Sequence, residues 1–395
     1  MEVKILIKAV KEKSGFRTTV SFLYYFLLVV FSNMVFAENT LYPQFRGETP
    51  NSTLSMNFNP VNVLLEANVI DMGPSKRAFA KRSKPPIGTR LRSRVKVTTH
   101  NESNRFTYEL INEDHNEKIV SSIKEYLESL PNKRPLNLFT KEEQLAYWLN
   151  LYNVTVINEI VKRYPRVPLE DLLTNSDDSL LNRKLIMIDG VKLSLNNIQH
   201  DILDNNYGKN PLIFYGLYQG NIGGPNITKN AYSGSNVFKE LKKNAERFVN
   251  SNIGASSGWG NSLNVSSYYS RNAEYFPNFD EDLKYHLLQF ADKKTKAIIS
   301  KSSTINPSIN NWAIADLYGS IRLFGEGVAT NPAAAMGAIN DQAFIGRIMV
   351  DSNNAQQFKL NTVQLTRLKE LMKVRAKNFG TTSVTVTDLE PEELH

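Results

Sequence analysis

Gln144-Leu-Ala-Tyr-Trp-Leu-Asn-Leu-Tyr-Asn153 is the stretch from which the rest of the chain can be read. It follows Thr140-Lys-Glu-Glu143, a capping box in which a threonine hydroxyl and a glutamate three residues on serve free N–H groups at a helix start. A helix opening there runs to Tyr164 and stops at Pro165, which has no N–H to give. Leu145, Trp148, Leu149, Val154 and Ile157 make it apolar, so it belongs in the core. Asn150 and Asn153 are three apart and share a face. Leaving a buried polar group without a partner costs about 1–3 kcal/mol. The two side chains therefore either clamp a neighbouring loop or line a polar pocket for a ligand carbonyl or carboxylate.

Upstream of this helix, Ile119, Ile123, Tyr126, Leu127 and Leu130 form one face of another, closed by Pro131. Downstream, Lys184 to Ile188 and Val191 to Leu195 flank Asp189-Gly190, the pair that a type I′ hairpin turn favours. Ser194 can cap a short helix from Leu195 to Leu203. Pro211 to Tyr218 is an apolar run of strand length, expected to be a buried strand. Gly220, Gly223, Gly224 and Pro225 then make a loop, read either as a plain turn or as an anion-binding nest. Further helices are expected at 236–250, 281–300 and 362–376. Helices and strands mix without strict alternation, which argues an α+β fold, mostly helical, with a small antiparallel or mixed sheet.

The N-terminus reads as a secretory signal. Lys4, Lys8, Lys11, Lys13 and Arg17 against Glu2 and Glu12 give the first 18 residues a net charge of +3. The uncharged run Val20 to Phe31 follows, then Val35-Phe36-Ala37 with small residues at the cleavage positions. A run this short falls below the roughly 20 residues of a membrane span, so residues 1–37 are expected to be removed, with an uncleaved anchor as the alternative. The protein is then exported, to a periplasm or the extracellular space. Residues 38–99 read as a partly ordered lead-in, with order starting near Arg90.

The full chain carries a formal charge of +8 and no cysteine. The absence of cysteine excludes disulfides, thiolate catalysis and Cys-ligated zinc. Between Lys76 and Lys96 lie nine Lys or Arg and no acid: Lys76, Arg77, Lys81, Arg82, Lys84, Arg90, Arg92, Arg94 and Lys96. This linker is either a solvated segment or a contact for an anionic envelope surface. Phe79 is its one aromatic, so no stacking platform for nucleic acid is visible and no nucleic-acid partner is expected. His100, His115, His286 and His395 lack metal-ligand spacing, so neither metal nor cofactor is expected. The chain has no H-E-x-x-H motif.

The stretch 144–153 resembles the A-F-W-I-N-L-Y-N signature of the family catalogued as domain of unknown function 547. Other segments follow in that family's order: the Asp189-Gly190 hairpin, Leu193-Ser-Leu-Asn-Asn-Ile-Gln-His-Asp-Ile-Leu203, Pro211-Leu-Ile-Phe-Tyr-Gly-Leu-Tyr-Gln-Gly220, and Ile309-Asn-Asn-Trp-Ala-Ile314. The resemblance covers roughly residues 100–320 and leaves 321–395 as a C-terminal extension expected to pack on that domain. It implies a papain-like or transglutaminase-like fold. It also shows departures. Where the family carries Arg, His, Asn and Cys in its strand segment, this chain has Leu212, Phe214, Tyr218 and Gln219. A second family Cys falls at Gly224, Glu becomes Gln199, and the closing Arg becomes Asp204. Glutamine neither titrates nor attacks.

His200 is the one histidine at a matching family position, either a general base or a satisfied semi-buried side chain, with no acidic motif beside it in sequence to orient it. The expected ligand-binding set is Asn150, Asn153, Gln219 and Trp312. The function expected on these grounds is that of an exported cell-envelope protein: a non-catalytic pseudoenzyme, or a binder of a small molecule or peptide. Two alternatives stay open, a His200-dependent hydrolase or transferase and a structural interaction protein.

Overall fold

The structure is a computed structural model. It describes residues 42–80, 96–111, 116–164, 167, 169–174, 178–317, 366–367, 369–371 and 373. The signal segment 1–37, most of the basic stripe and most of the C-terminal extension lie outside the described residues, as does much of the helix expected at 362–376. The chain divides into two compact units, Met1–Gln44 and Phe45–His395. The α-helices and sheets among the described residues all belong to the second unit.

The axis of that unit is helix α3. In chain order the principal helices are α1 (Asn59–Asn68), α2 (Asn116–Lys133) and α3 (Lys141–Val161). The Thr140 hydroxyl accepts the Glu143 N–H at 3.3 Å. Every residue from Glu143 to Val161 is buried, its polar side chains included. α3 packs against α2. Glu143 does not complete the capping box. Its carboxylate turns outward and accepts the backbone N–H of Met56 at 2.6 Å and of Gly234 at 2.7 Å. α2 keeps Pro131 in its last turn and ends at Lys133, two residues beyond the expected stop.

The hairpin forms as the sequence indicates. Ahead of it in the chain, β1 (Val69–Ile70) pairs antiparallel with β2 (Arg105–Phe106). The hairpin strands β3 (Ile186–Ile188) and β4 (Val191–Leu193) are antiparallel, with Ile188 opposite Val191. Asp189 at φ 49° and Gly190 at φ 76° supply the two positive angles of a type I′ turn. The following helix runs over 195–207 and is wound as a π-helix over Asn197–Leu203, then as α4 over Asp204–Tyr207. Ser194 caps it reciprocally with Asn197: its hydroxyl accepts the Asn197 N–H at 3.1 Å, while Asn197 Oδ1 accepts the Ser194 N–H at 2.9 Å.

Two expectations are corrected. Order begins well before Arg90: α1 buries Val61, Leu64 and Leu65, and the β1–β2 pair closes just after it. The other correction is that Pro211 to Tyr218 is not a strand. It forms a 3-10 turn over Ile213–Gly216 and then runs extended without a ladder partner. Side chains take the place of a neighbouring strand. Asn153 and Asn244 bond its backbone, with Asn244 Nδ2 3.2 Å from Tyr215 O.

Beyond lie α5 (Val237–Val249), α6 (Ser267–Arg271), α7 (Phe279–Phe290) and α8 (Lys293–Lys301). The helix expected over 281–300 is broken at Ala291–Asp292, where the Asp292 carboxylate accepts the Thr295 N–H at 2.7 Å and starts α8 afresh. α3 also packs on α5 and on the π-helical segment. A mixed sheet of order β5-β6-β7 completes the fold: β5 (Ala255–Ser257) is antiparallel to β6 (Ser262–Ser266), which is parallel to β7 (Thr304–Ile309). The architecture is α+β, about 50% helical with small sheets among the described residues. Among the described residues no helix is long and apolar enough to cross a membrane.

The described ends of the basic stripe are tied to the domain. Arg77 donates to Ala255 O at 2.9 Å and to the Thr295 hydroxyl at 3.0 Å, and Lys96 to Asn310 O at 2.7 Å. Ala80 N–H donates to Val97 O at 2.8 Å.

Candidate functional site

Asn150 and Asn153 each hold a passing backbone. Asn150 donates to Tyr232 O at 2.8 Å and accepts Tyr232 N–H at 3.0 Å. Asn153 donates to Gly216 O at 3.0 Å and accepts Tyr218 N–H at 2.9 Å. The second pair fixes the segment that carries Gln219. Gly220, at φ 82°, turns the chain, and a Cβ there would lie 2.1 Å from Ile160 Cδ1.

Gln219 is 3% exposed, and its Oε1 has no hydrogen-bond partner. Asn221 Oδ1 is buried and unpartnered as well, although Asn221 Nδ2 donates to Asn311 O at 3.1 Å. Both side chains crowd Gly224: a Cβ on that glycine would lie 2.6 Å from Asn221 Oδ1 and 3.5 Å from Gln219 Cβ. The glycine loop does not make an anion nest. Ile222 N–H donates to Ala313 O at 2.9 Å, Gly223 N–H to Asn311 O at 2.9 Å and Gly224 N–H to Asn221 O at 3.3 Å. The first two of these donors are consumed in pairing with the segment that carries Trp312, the third within the loop itself.

Trp312 thus stands beside this loop, with its Nε1 buried and unpartnered. The Arg271 guanidinium lies over its ring at 4.8 Å from the centroid, and over the Tyr268 ring at 5.3 Å. α6, which carries both Tyr268 and Arg271, is capped by Ser266, whose hydroxyl also donates to Gly223 O at 3.3 Å. Tyr152, next to Asn153 on α3, has a buried unpartnered hydroxyl. Burial lowers the Arg271 pKa, while the phenols of Tyr268 and Tyr152 pull it back up. Burial likewise raises the Tyr152 phenol, with Arg271 opposing. The loop 219–224, the segment 311–314, α6 and one face of α3 therefore converge. They bring together donors (Trp312 Nε1, Arg271 Nε), acceptors (Gln219 Oε1, Asn221 Oδ1) and a hydroxyl that can be either. Buried polar groups in native folds are otherwise almost always paired.

His200 belongs to a second cluster. Its Nδ1 lies 3.4 Å from Asp204 Oδ2 and 3.3 Å from Glu274 Oε1. The Tyr275 hydroxyl donates to Asp204 Oδ1 at 2.6 Å. Gln199 Nε2 donates to Asn272 Oδ1 at 2.7 Å, joining the π-helical segment to the end of α6. Burial alone would lower the His200 pKa, but the hydrogen bond to Asp204 and the charge of Glu274 outweigh it, and the net shift is upward. The imidazole therefore has two acidic partners, Asp204 one turn along its own helix and Glu274 from a segment that its sequence neighbourhood did not announce. His286 is a core residue, its Nε2 3.0 Å from the Tyr215 hydroxyl, and burial pushes it down to about 4. Among the described residues no group of three or more His, Cys, Asp or Glu is placed to hold a metal ion.

The sequence reading missed Tyr152, Asn221, Tyr268 and Arg271. Tyr152 sits inside the signature and Asn221 inside the glycine loop, so both had a local signal. Arg271 had none, because its aromatic neighbour Trp312 comes from a distant segment.

The span holding the α3 signature, the hairpin, the π-helical segment and the Gln219 loop is the part that comparison recognises. Residues 136–249 match the model of the family described as Protein of unknown function, DUF547. Gln219 and His200 lie inside the DUF547 segment, whereas Arg271, Glu274 and Trp312 lie beyond its end. Comparison with curated proteins and with solved structures found no match, so the papain-like likeness gains no support from known folds.

Proposed function

We propose that the chain is an exported, non-catalytic DUF547 protein that binds a small molecule or peptide at the buried polar cluster around Gln219. The observation that carries this reading is the buried, unpartnered Oε1 of Gln219, held on a segment that Asn153 clamps beside it. An unpaired buried acceptor costs about 1–3 kcal/mol, and a ligand N–H or O–H would offset that cost. Gln219 stands where the resemblance puts a family cysteine, and a carboxamide there recognises without attacking. Export rests on the N-terminal pattern of residues 1–37.

The test is the melting temperature of residues 38–395 against peptides, amino acids and acidic sugars. A ligand at about 100 times its dissociation constant stabilises by about 2.7 kcal/mol, which is several degrees for a chain of this size. The shift is expected in the parent and lost in Gln219→Leu. Absence of any shift across the panel would remove the binding reading.

A hydrolase or transferase is the second reading, favoured by the contacts of His200 Nδ1 with Asp204 and Glu274. Turnover of any panel compound that disappears in His200→Ala would establish it. Turnover unchanged in that variant would sink it.

A further inference from the structure

Arg105 and Arg271 both carry guanidinium nitrogens shut off from solvent, Arg105 fully buried and Arg271 half-buried, and their surroundings differ. Arg105 is fully buried, and burial lowers its pKa to about 10. Asp316, Tyr218, Glu109 and Glu102 nevertheless offset its charge. Arg271 has no such acids. Among the described residues no carboxylate lies within salt-bridge distance of it, and the groups that support its charge are the phenols of Tyr268 and Tyr152. A guanidinium is always charged at physiological pH, and burying a charge without a partner is expensive. The faces of Tyr268 and Trp312 supply part of the compensation as cation–π contacts. They hold the guanidinium plane while leaving its donors free, and Arg271 Nε is buried with no hydrogen-bond partner.

We propose that Arg271 anchors a ligand carboxylate, with Trp312 Nε1 and the Tyr152 hydroxyl as further donors, and that Gln219 Oε1 and Asn221 Oδ1 accept an N–H of the same ligand. The ligand is then an acylated amino acid or the free carboxyl end of a short peptide. This rests on the binding reading above and adds to it the class of ligand. The guanidinium fork matches a carboxylate in two parallel hydrogen bonds. An aromatic or apolar side chain would lie against Trp312, whose ring is already ordered by Arg271. The two halves of the site fit the two halves of such a ligand: donors gather at the Arg271 end and acceptors at the Gln219 loop.

The probe is N-benzoylglycine, which carries a carboxylate, an amide N–H and a ring, against its neutral amide. Binding is read by calorimetry on residues 38–395 and by the Arg271 Nε–H resonance. The acid is expected to bind about 10- to 100-fold more tightly than the amide, the range for a charge-assisted pair, and to shift that resonance saturably. Arg271→Gln should erase the preference. Arg271→Lys keeps the charge but loses the planar fork and should retain part of it; an unchanged far-UV spectrum shows that each variant is folded. Equal affinity for acid and amide, no binding of either at millimolar concentration, or a preference that survives Arg271→Gln would each overturn the assignment. If the panel still yields a ligand whose effect depends on Gln219, binding at that cluster stands and the carboxylate anchor alone falls.

Discussion

Asn150 is joined to Tyr232 by two hydrogen bonds, Nδ2 to the carbonyl oxygen at 2.8 Å and Oδ1 from the amide nitrogen at 3.0 Å, so that a side chain on α3 pairs with a backbone as a strand would. One turn further on, Asn153 repeats the arrangement with Gly216 and Tyr218. Replacing Asn153 by Leu leaves a carbonyl and an N–H buried and unpaired. The expected loss is about 2–4 kcal/mol, measured as a lower urea midpoint with the slope unchanged. A loss under about 0.5 kcal/mol would mean that the segment carrying Gln219 is held by something else.

Gln219→Met should behave in the opposite way. The substitution removes an acceptor that has no partner in the protein, so the melting temperature should stay level or rise, while the response to ligands disappears. Residues kept for recognition commonly cost stability in this manner. A clear drop in melting temperature would show that the amide is structural.

Gly220→Ala places a Cβ 2.1 Å from Ile160 Cδ1 at a residue with φ 82°. Overpacking and left-handed backbone together should cost about 2–4 kcal/mol. Ile160→Val removes the clashing methyl and should recover part of that loss. Full additivity of the two single effects in the double variant would contradict the contact.

Glu143→Gln tests the diverted capping residue. The carboxylate serves Met56 N–H with one oxygen and Gly234 N–H with the other, and a carboxamide has one acceptor oxygen. One N–H loses its partner, and hydrogen bonds to a charged group are worth about 1.5–3 kcal/mol each. Amide exchange at Met56 or Gly234 should rise in the variant by more than at neighbouring residues.

For His200 the sign of the pH dependence follows from its raised pKa. A group whose folded pKa exceeds its ordinary value of 6.5 binds its proton more tightly when folded. The stability it contributes is fully present below that ordinary value and fades as pH rises through the folded pKa. The stability gap between parent and His200→Gln should therefore be larger at pH 6 than at pH 9. By NMR the imidazole midpoint should fall in both Asp204→Asn and Glu274→Gln. A midpoint unmoved in both would remove the acidic partners.

What was legible in the sequence is what neighbours in the chain decide. The cap at Thr140, the apolar length of α3 and the Asp189-Gly190 turn are local, and all three appear where the sequence puts them. Pro211 to Tyr218 looked like a strand because it is apolar and short. Its backbone partners are side chains, Asn153 and Asn244, from helices far along the chain, and periodicity carries no record of them. The site divides the same way. Gln219, Trp312 and His200 could be picked out by position in recognisable segments. Arg271 and Glu274 could not, since each acquires its meaning from residues that only the fold brings near.

The hydrogen bond from Ala80 to Val97 closes the chain on itself on either side of most of the basic stripe. Residues 80 and 97 meet at one point on the domain, so amide exchange at Ala80 reports whether the two ends of that segment stay joined.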